Sequence, residues 1–500
     1  MADGYNVLLV TIDTLRRDFL GAYRAQPDIL DYAVDTPNLD RFAERALVFD
    51  NHYAGSLPCM PARREFQCGI QEFLWRPWGP VEPFDRTVPA LASQAGVTTQ
   101  LVTDHYHYFE HGSHGYYEDY HGFEFVRGHE NDAWQTSPRY PDERLLQQMN
   151  RGGVDPRNPA PGGPPRYARN VSTFDELDER DYFAPKVFSR AARWLQDNQA
   201  WDQWLCYVDS FDVHEPFHCP EPYASMYTDE DPTDPDLINW PEYQPVQEQG
   251  LTERQLAFVQ SQFAGKVTLV DRWFGRVLDA LDREAVWDET VVVVTTDHGG
   301  LLGEHGYMMK NYMPVFDEIA HTPLLIWHPE GRTDRTDAVT SAVDVYGTVL
   351  DALGVAVPQE THSESLAPVI LGETDAHRPY AIYGYFGADA CITDGQHTYF
   401  HPGDDTTVNI YSTMHMRAKS GRAEVAELPY TDDAVWRYPA GNGSQQASQP
   451  MLFDTDADPG QQENLVETCP DLVSELRAAL HDELAARKAP AEQFTRLGFT

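Results

Sequence analysis

Apolar residues recur along this chain with two different periods. Tyr5–Ile12 and Thr290–Thr296 are short runs rich in Val, Ile, Leu and Thr, with the length and composition of strands buried on both faces. Thr99–Thr103, Trp204–Phe211 and Pro323–Trp327 are shorter strand candidates. Between them, Thr36–Ala46, Asp181–Asp197, Glu253–Glu284 and Ala342–Leu353 carry the spacing of amphipathic helices. Strands alternating with helices predict a layered α/β fold with a large, mostly parallel sheet between helices. Near residue 371 the pattern changes to short strands (Tyr380–Tyr385, His397–His401, Val408–Ser412, Met451–Asp454) and a closing helix, Asp471–Lys488. That predicts a small C-terminal antiparallel sheet with one helix on it. The expected division is therefore a main α/β domain, 1–371, and a subdomain, 372–500. Residues 127–173, rich in Gly, Pro, Arg and Asn, are expected to be an irregular insertion, either an ordered substrate-shaping segment or a mobile loop.

No apolar stretch reaches the length of a membrane span. Met1–Gly4 leads straight into the first strand without a basic n-region, and Arg16-Arg17 follow that strand, so no export signal is predicted and a cytoplasmic location follows. The six cysteines (Cys59, Cys68, Cys206, Cys219, Cys391, Cys469) show no zinc or redox spacing and are too sparse for a disulfide framework. Asn170-Val171-Ser172 and Asn442-Gly443-Ser444 read as chance glycosylation sequons. A net charge of -42, with Lys186, Lys266, Lys310, Lys419 and Lys488 the only lysines, argues against a nucleic-acid partner. Acid-rich, lysine-poor surfaces suit molar salt, where a Debye length of about 3 Å screens self-repulsion; an acidic mesophilic protein is the alternative. An anionic substrate would need local cations to gather it against this field.

Both strong strands end in carboxylates, Asp13 and Asp297-His298-Gly299. In an open α/β sheet the carboxyl edge binds ligands, so two such ends can converge on one ion; capping of the following turns is the bland alternative. Cys59-Met60-Pro61-Ala62-Arg63 supplies a Cys-x-Pro-x-Arg pentapeptide. Further along stand Phe211-Asp212-Val213-His214-Glu215-Pro216-Phe217, Asp297–Lys310, His321-Thr322-Pro323, Asp344-Val345 and Leu452-Phe453-Asp454. In this order, and with Ile12–Asp18, these motifs closely resemble the sulfatase branch of the alkaline phosphatase superfamily. The resemblance spans nearly the whole chain apart from 127–173 and 422–448.

The resemblance implies an alkaline phosphatase-like sandwich and a metal-dependent sulfuric ester hydrolase. It implies that a maturation enzyme converts Cys59 to formylglycine. One hydroxyl of the hydrated aldehyde would attack the sulfate ester, giving a covalent sulfoenzyme, and the other would expel sulfate and restore the carbonyl. Asp13, the modified Cys59, Asp297 and His298 would hold one divalent ion, with Ca²⁺ first and Mn²⁺ or Mg²⁺ as alternatives for a donor set of oxygens and one imidazole. Arg63 would stabilise the formylglycine and the developing anion, Lys310 would contact sulfate, and His214 would protonate the leaving group. His105 and His107 stand where the family has Lys-x-His, and His305 is assigned a supporting place in the pocket. Asp13-Thr14 and Asp297-His298 depart from the paired carboxylates of many sulfatases and resemble phosphonate monoester and phosphodiester hydrolases. Those activities are the rival reading on the same site; a degenerate binding protein is a third, disfavoured because every key position is filled. The leaving group and the oligomeric state are left open.

Overall fold

The computed structural model describes residues 4–23, 29–110, 114–136, 142–149, 164–311, 313–404, 406–414, 423–440 and 449–499. The Asn442 sequon and most of the Pro159–Pro165 run lie outside them. An eight-stranded sheet runs in the order Arg335–Thr336, Leu47–Phe49, Leu324–Trp327, Thr290–Thr295, Asn6–Ile12, Trp204–Ser210, Thr98–Thr103, Gly122–Phe125. Leu324–Trp327 is antiparallel to both neighbours; the remaining pairings are parallel. The expected mostly parallel α/β sheet is thus present.

Strand alternation explains its two buried faces. Leu8, Val10 and Ile12 point into one core, with Val292, Val294 and Val208, under the helices Pro37–Ala43, Phe183–Asn198 and Glu253–Glu284. Val7 and Leu9 point the other way, with Val291, Val293 and Leu205, toward the helices Cys59–Cys68, Val88–Gln94 and Asp344–Ala352. Four central parallel strands, Thr98–Thr103, Trp204–Ser210, Asn6–Ile12 and Thr290–Thr295, place their carboxyl ends along one edge. That edge carries Asp104, Asp209, Asp13 and Asp297.

The C-terminal sheet differs from the expectation in two details. Its four antiparallel strands, Ala381–Tyr385, Ala390–Thr393, His397–His401 and Met451–Asp454, are joined by a fifth, Ser56–Leu57, running parallel to Ala381–Tyr385. Two residues after that strand comes Cys59, so the small sheet fixes the entry to the Cys59 helix. Asn409–Ser412 pairs elsewhere, in a separate three-stranded sheet with Thr431–Pro439 and Glu424–Leu428. Helix Pro470–Ala486 packs Leu476, Leu480 and Leu484 on the five-stranded sheet. Within 127–173 the described residues form two helices, Glu143–Met149 and Pro164–Val171, whose Leu146, Met149, Tyr167 and Val171 join the main core. Asn170 is buried, its amide donating to the carbonyls of Gly128 and Asp132, so that sequon serves packing.

Candidate active site

Cys59 opens helix Cys59–Cys68, and Arg63 follows one turn later on the same face. The helix lies against the sheet edge, so both side chains meet the strand-end carboxylates. Arg63 is fully buried and touches three of them. Its Nη2 lies 2.9 Å from Asp13 Oδ2 and 2.9 Å from Asp209 Oδ1, and its Nη1 lies 2.5 Å from Asp297 Oδ2. Nη1 also donates to the Cys59 carbonyl at 3.3 Å, tying the guanidinium back to the helix start. Cys59 Sγ sits 3.1 Å from His298 Nε2, and His298 Nδ1–H donates to the Gly299 carbonyl at 2.8 Å, which leaves the lone pair on Nε2.

Asp13, Cys59, Asp297 and His298 offer four donor atoms all within 4.8 Å of one another, each buried. The set fits a divalent ion. Asp13 Oδ2 is buried without a hydrogen-bond partner, since its approach to Arg63 is an ion pair lacking hydrogen-bond alignment. Burial would raise the Asp13 carboxyl, but Arg63, His214 and Lys310 overcome it and hold it well below the usual range. Burial and the Asp13 charge push Asp297 the other way. Burial, with Lys310 nearby, lowers His298 to about 3, so it is a neutral imidazole at working pH.

Lys310 is 1% exposed, donates to Thr14 Oγ1 at 2.9 Å, and stands 4.0 Å from both Asp13 Oδ1 and Glu215 Oε2. His214 follows the end of Trp204–Ser210; its ring stacks on Phe211, centroids 4.2 Å apart, and its Nδ1–H donates to the Glu215 carbonyl. His105 is buried with Nε2 3.6 Å from Asp13 Oδ2, and burial lowers it to about 3. Burial would also lower His107, yet contacts of 2.6 Å to Glu110 and 3.3 Å to Glu130 raise it to about 9. His305 lies against Phe316, ring centroids 3.6 Å apart, with Nε2 3.5 Å from Glu318. The structure thus gathers Asp13, Cys59, Arg63, His105, His298, Asp297 and Lys310 into one contact network, and gives His107 and His305 acidic partners of their own.

Sequence reasoning missed Asp209, which takes three contacts from Arg63 and a 2.6 Å hydrogen bond from Thr11. An acid inside the apolar run Trp-Leu-Cys-Tyr-Val-Asp was the available signal. It also passed over Glu215, which burial raises to about 7 and which accepts a hydrogen bond from Tyr243.

Fold and site together bring a buried cysteine, a candidate cation site and two buried basic side chains to one edge of an α/β sheet. The sulfatase family model matches residues 5–355, and the chain belongs to that family. An uncharacterized sulfatase of Escherichia coli (strain K12), YidJ, is 26% identical over 396 residues, covering 73% of this chain and 71% of the relative. A choline-sulfatase of Rhizobium meliloti (strain 1021) is 25% identical over 390 residues, covering 73% and 72%. In fold, the phosphonate monoester hydrolase of Agrobacterium radiobacter superposes with a TM-score of 0.65 at 19% identity, covering 97% of this chain and 95% of that one. Among the described residues no helix is long and apolar enough to cross a membrane.

Proposed function

We propose that this sulfatase-family hydrolase cleaves sulfuric esters, using formylglycine made from Cys59 by a maturation enzyme. The observation that carries the reading is the meeting of Cys59 with Asp13, Asp297 and His298 beside Arg63 and Lys310. As an unmodified thiol, Cys59 would be a poor nucleophile, because burial and the Asp13 charge push it well above its ordinary range. A gem-diol adds what a thiol lacks, a second hydroxyl: one can add to sulfur, and the other can later collapse to the aldehyde and release sulfate, with a covalent sulfoenzyme between. Asp13, Asp297, His298 and the modified residue would hold a divalent ion, Ca²⁺ first, which when bound supplies positive charge for the nucleophile and sulfuryl oxygens. Arg63 faces the nucleophile from its own helix, Lys310 carries the charge that gathers the anion against the acidic chain, and His214, which burial and the Lys310 charge hold low and whose Nδ1–H is committed to the Glu215 carbonyl, would take up a proton at Nε2 as the anionic ester binds and pass it to the leaving oxygen.

A phosphonate monoester or phosphodiester hydrolase is the second reading. The observation favouring it is Thr14, whose hydroxyl donates to Asp13 at 2.6 Å and accepts from Lys310, filling with a neutral group the place where a second carboxylate would stand.

The deciding experiment joins the intact mass of the Cys59 peptide to rates on an aryl sulfate, a phosphodiester and a phosphonate. A formylglycine mass, fastest turnover on the sulfate, and loss of turnover on exhaustive chelation are expected. An active native enzyme with an unmodified Cys59 thiol would sink the mechanism, and faster phosphonate or diester cleavage would select the second reading.

A further inference from the structure

The described residues hold a second buried group of metal-ligand types, Asp104, His129 and Asp212, and here an ammonium is already in place. Lys266, in the middle of helix Glu253–Glu284, sits with Nζ 2.5 Å from Asp212 Oδ1 and donates to the main-chain carbonyls of His214 and Pro216, each at 2.9 Å. Every hydrogen of the ammonium thereby has an acceptor. Asp212 is fixed in turn: its Oδ1 lies 2.9 Å from His129 Nε2, and its Oδ2 accepts from the Ala184 N–H at 3.1 Å. One residue earlier, the Phe211 N–H donates to Asp104 Oδ1 at 2.7 Å, and the Phe211 ring carries the His214 imidazole.

Lys266 and Asp212 are each 2% exposed, and His129 is fully buried. Burying an ammonium costs several kcal/mol before pairing, and an apolar side chain such as methionine would fill the same space without that cost. Packing alone therefore does not call for a lysine here. What a lysine adds is two directed hydrogen bonds to the peptide carbonyls on either side of Glu215, which set the path of the loop that presents His214.

We propose that Lys266 is a positioning residue: held by Asp212 and His129, it fixes the main chain at His214 and Pro216 so that His214 Nε2 faces the ester oxygen that leaves. The inference rests on the reading of His214 as the leaving-group acid.

The test uses the metal-loaded, formylglycine-containing enzyme and the variants Lys266→Met, His214→Ala and their combination, assayed on an alkyl sulfate and on nitrophenyl sulfate. Lys266→Met is expected to lower kcat on the alkyl ester by roughly 10- to 100-fold, the scale of an ångström-level misplacement, with KM little changed. On nitrophenyl sulfate, whose leaving group needs little protonation, the loss should stay within about threefold. On the His214→Ala background the lysine change should cost nothing further. Hydrogen exchange of the Val213, His214, Glu215 and Phe217 amides should rise in Lys266→Met. Equal losses on the two esters, or a full additive loss on the His214→Ala background, overturns the proposal. Where Lys266→Met does not fold, His129→Leu takes its place, leaving the ammonium but removing the donor to Asp212 Oδ1. It is expected to show the same leaving-group pattern at about tenfold, and its absence is equally decisive. A His214→Ala variant indifferent to leaving group overturns the general-acid reading and the clamp together; one that responds while Lys266→Met does not removes the clamp alone.

Discussion

Arg63 and Lys266 are both buried cations serving the same strand-end region, yet they meet opposite surroundings. Arg63 faces three carboxylates, Asp13, Asp209 and Asp297, and one of their oxygens, Asp13 Oδ2, still lacks a hydrogen-bond partner. Lys266 faces one, Asp212, and two peptide carbonyls that complete its donors. In the rest of its group, burial, reinforced by the Asp212 charge, pushes the Asp104 carboxyl well up, and burial lowers His129, each toward its neutral form. Burial is the same in both places; the ratio of acid to cation is not. An excess of buried carboxylate has a use for a further cation, so the Arg63 cluster fits a metal. A balanced cluster has no such use, and suits the holding of a loop.

Arg63→Met should give the largest break in this comparison, because it strands three buried carboxylates. A loss of about 3–5 kcal/mol in urea unfolding is expected, with activity gone. Lys266→Met strands a single carboxylate that His129 still touches, and should cost less. A smaller penalty for Arg63→Met than for Lys266→Met would reverse the contrast.

Asp13→Asn tests the excess-charge side directly. It keeps the shape of the side chain and removes one negative charge, so affinity for the divalent ion should fall on the order of 10²-fold or more, read by calorimetric titration. Unfolding free energy should stay close to that of the parent, as Asp209 and Asp297 still pair with Arg63. Unchanged affinity would remove Asp13 from the ion site.

His107 sharpens the comparison at a third place, where a cation again sits between two acids, Glu110 and Glu130. Its folded value of about 9 lies above the ordinary 6.5, so its contribution is fully present below pH 6.5 and is lost as pH rises through 9. Melting curves should show wild type losing about 2 kcal/mol over that window relative to His107→Gln. Parallel curves for the two proteins would show that the imidazole is neutral throughout.

The smallest effect concerns the whole surface. With a net charge of -42, the melting temperature should rise by a few degrees between roughly 0.1 and 2 M potassium chloride as screening shortens from about 10 Å toward 3 Å. The buried Arg63 and Lys266 clusters lie beyond the reach of that screening, so a flat profile would place the chain's electrostatic stability in its interior rather than on its surface.

Much of the candidate site was legible because its residues lie in short contiguous motifs. Cys59 and Arg63 share one helical turn, Asp13 and Asp297 each end an apolar strand, and parallel strands must present their carboxyl ends together. Helix Glu253–Glu284 was legible to the residue, since its capping box and apolar stripe are local signals. The strands Glu424–Leu428 and Thr431–Pro439 were missed, because exposed positions interrupt their apolar alternation.

By itself, then, the sequence determined which residues stand at the ends of strands and which belong to the Cys59–Arg63 motif, because period and motif spacing act over a few residues; that the motif heads a helix came only from the structure. Tertiary structure alone decided that Asp209 shares Arg63 with Asp13 and Asp297, that Ser56–Leu57 completes the C-terminal sheet just before Cys59, and that Lys266 reaches the His214 loop from 52 residues away. Lys266 had a faint trace, a cation among Phe263, Val267 and Val270 on a buried helix face. Its partners had none, because a contact between distant segments is set by how helices and sheet pack, and no local pattern records which carbonyls a buried ammonium will find.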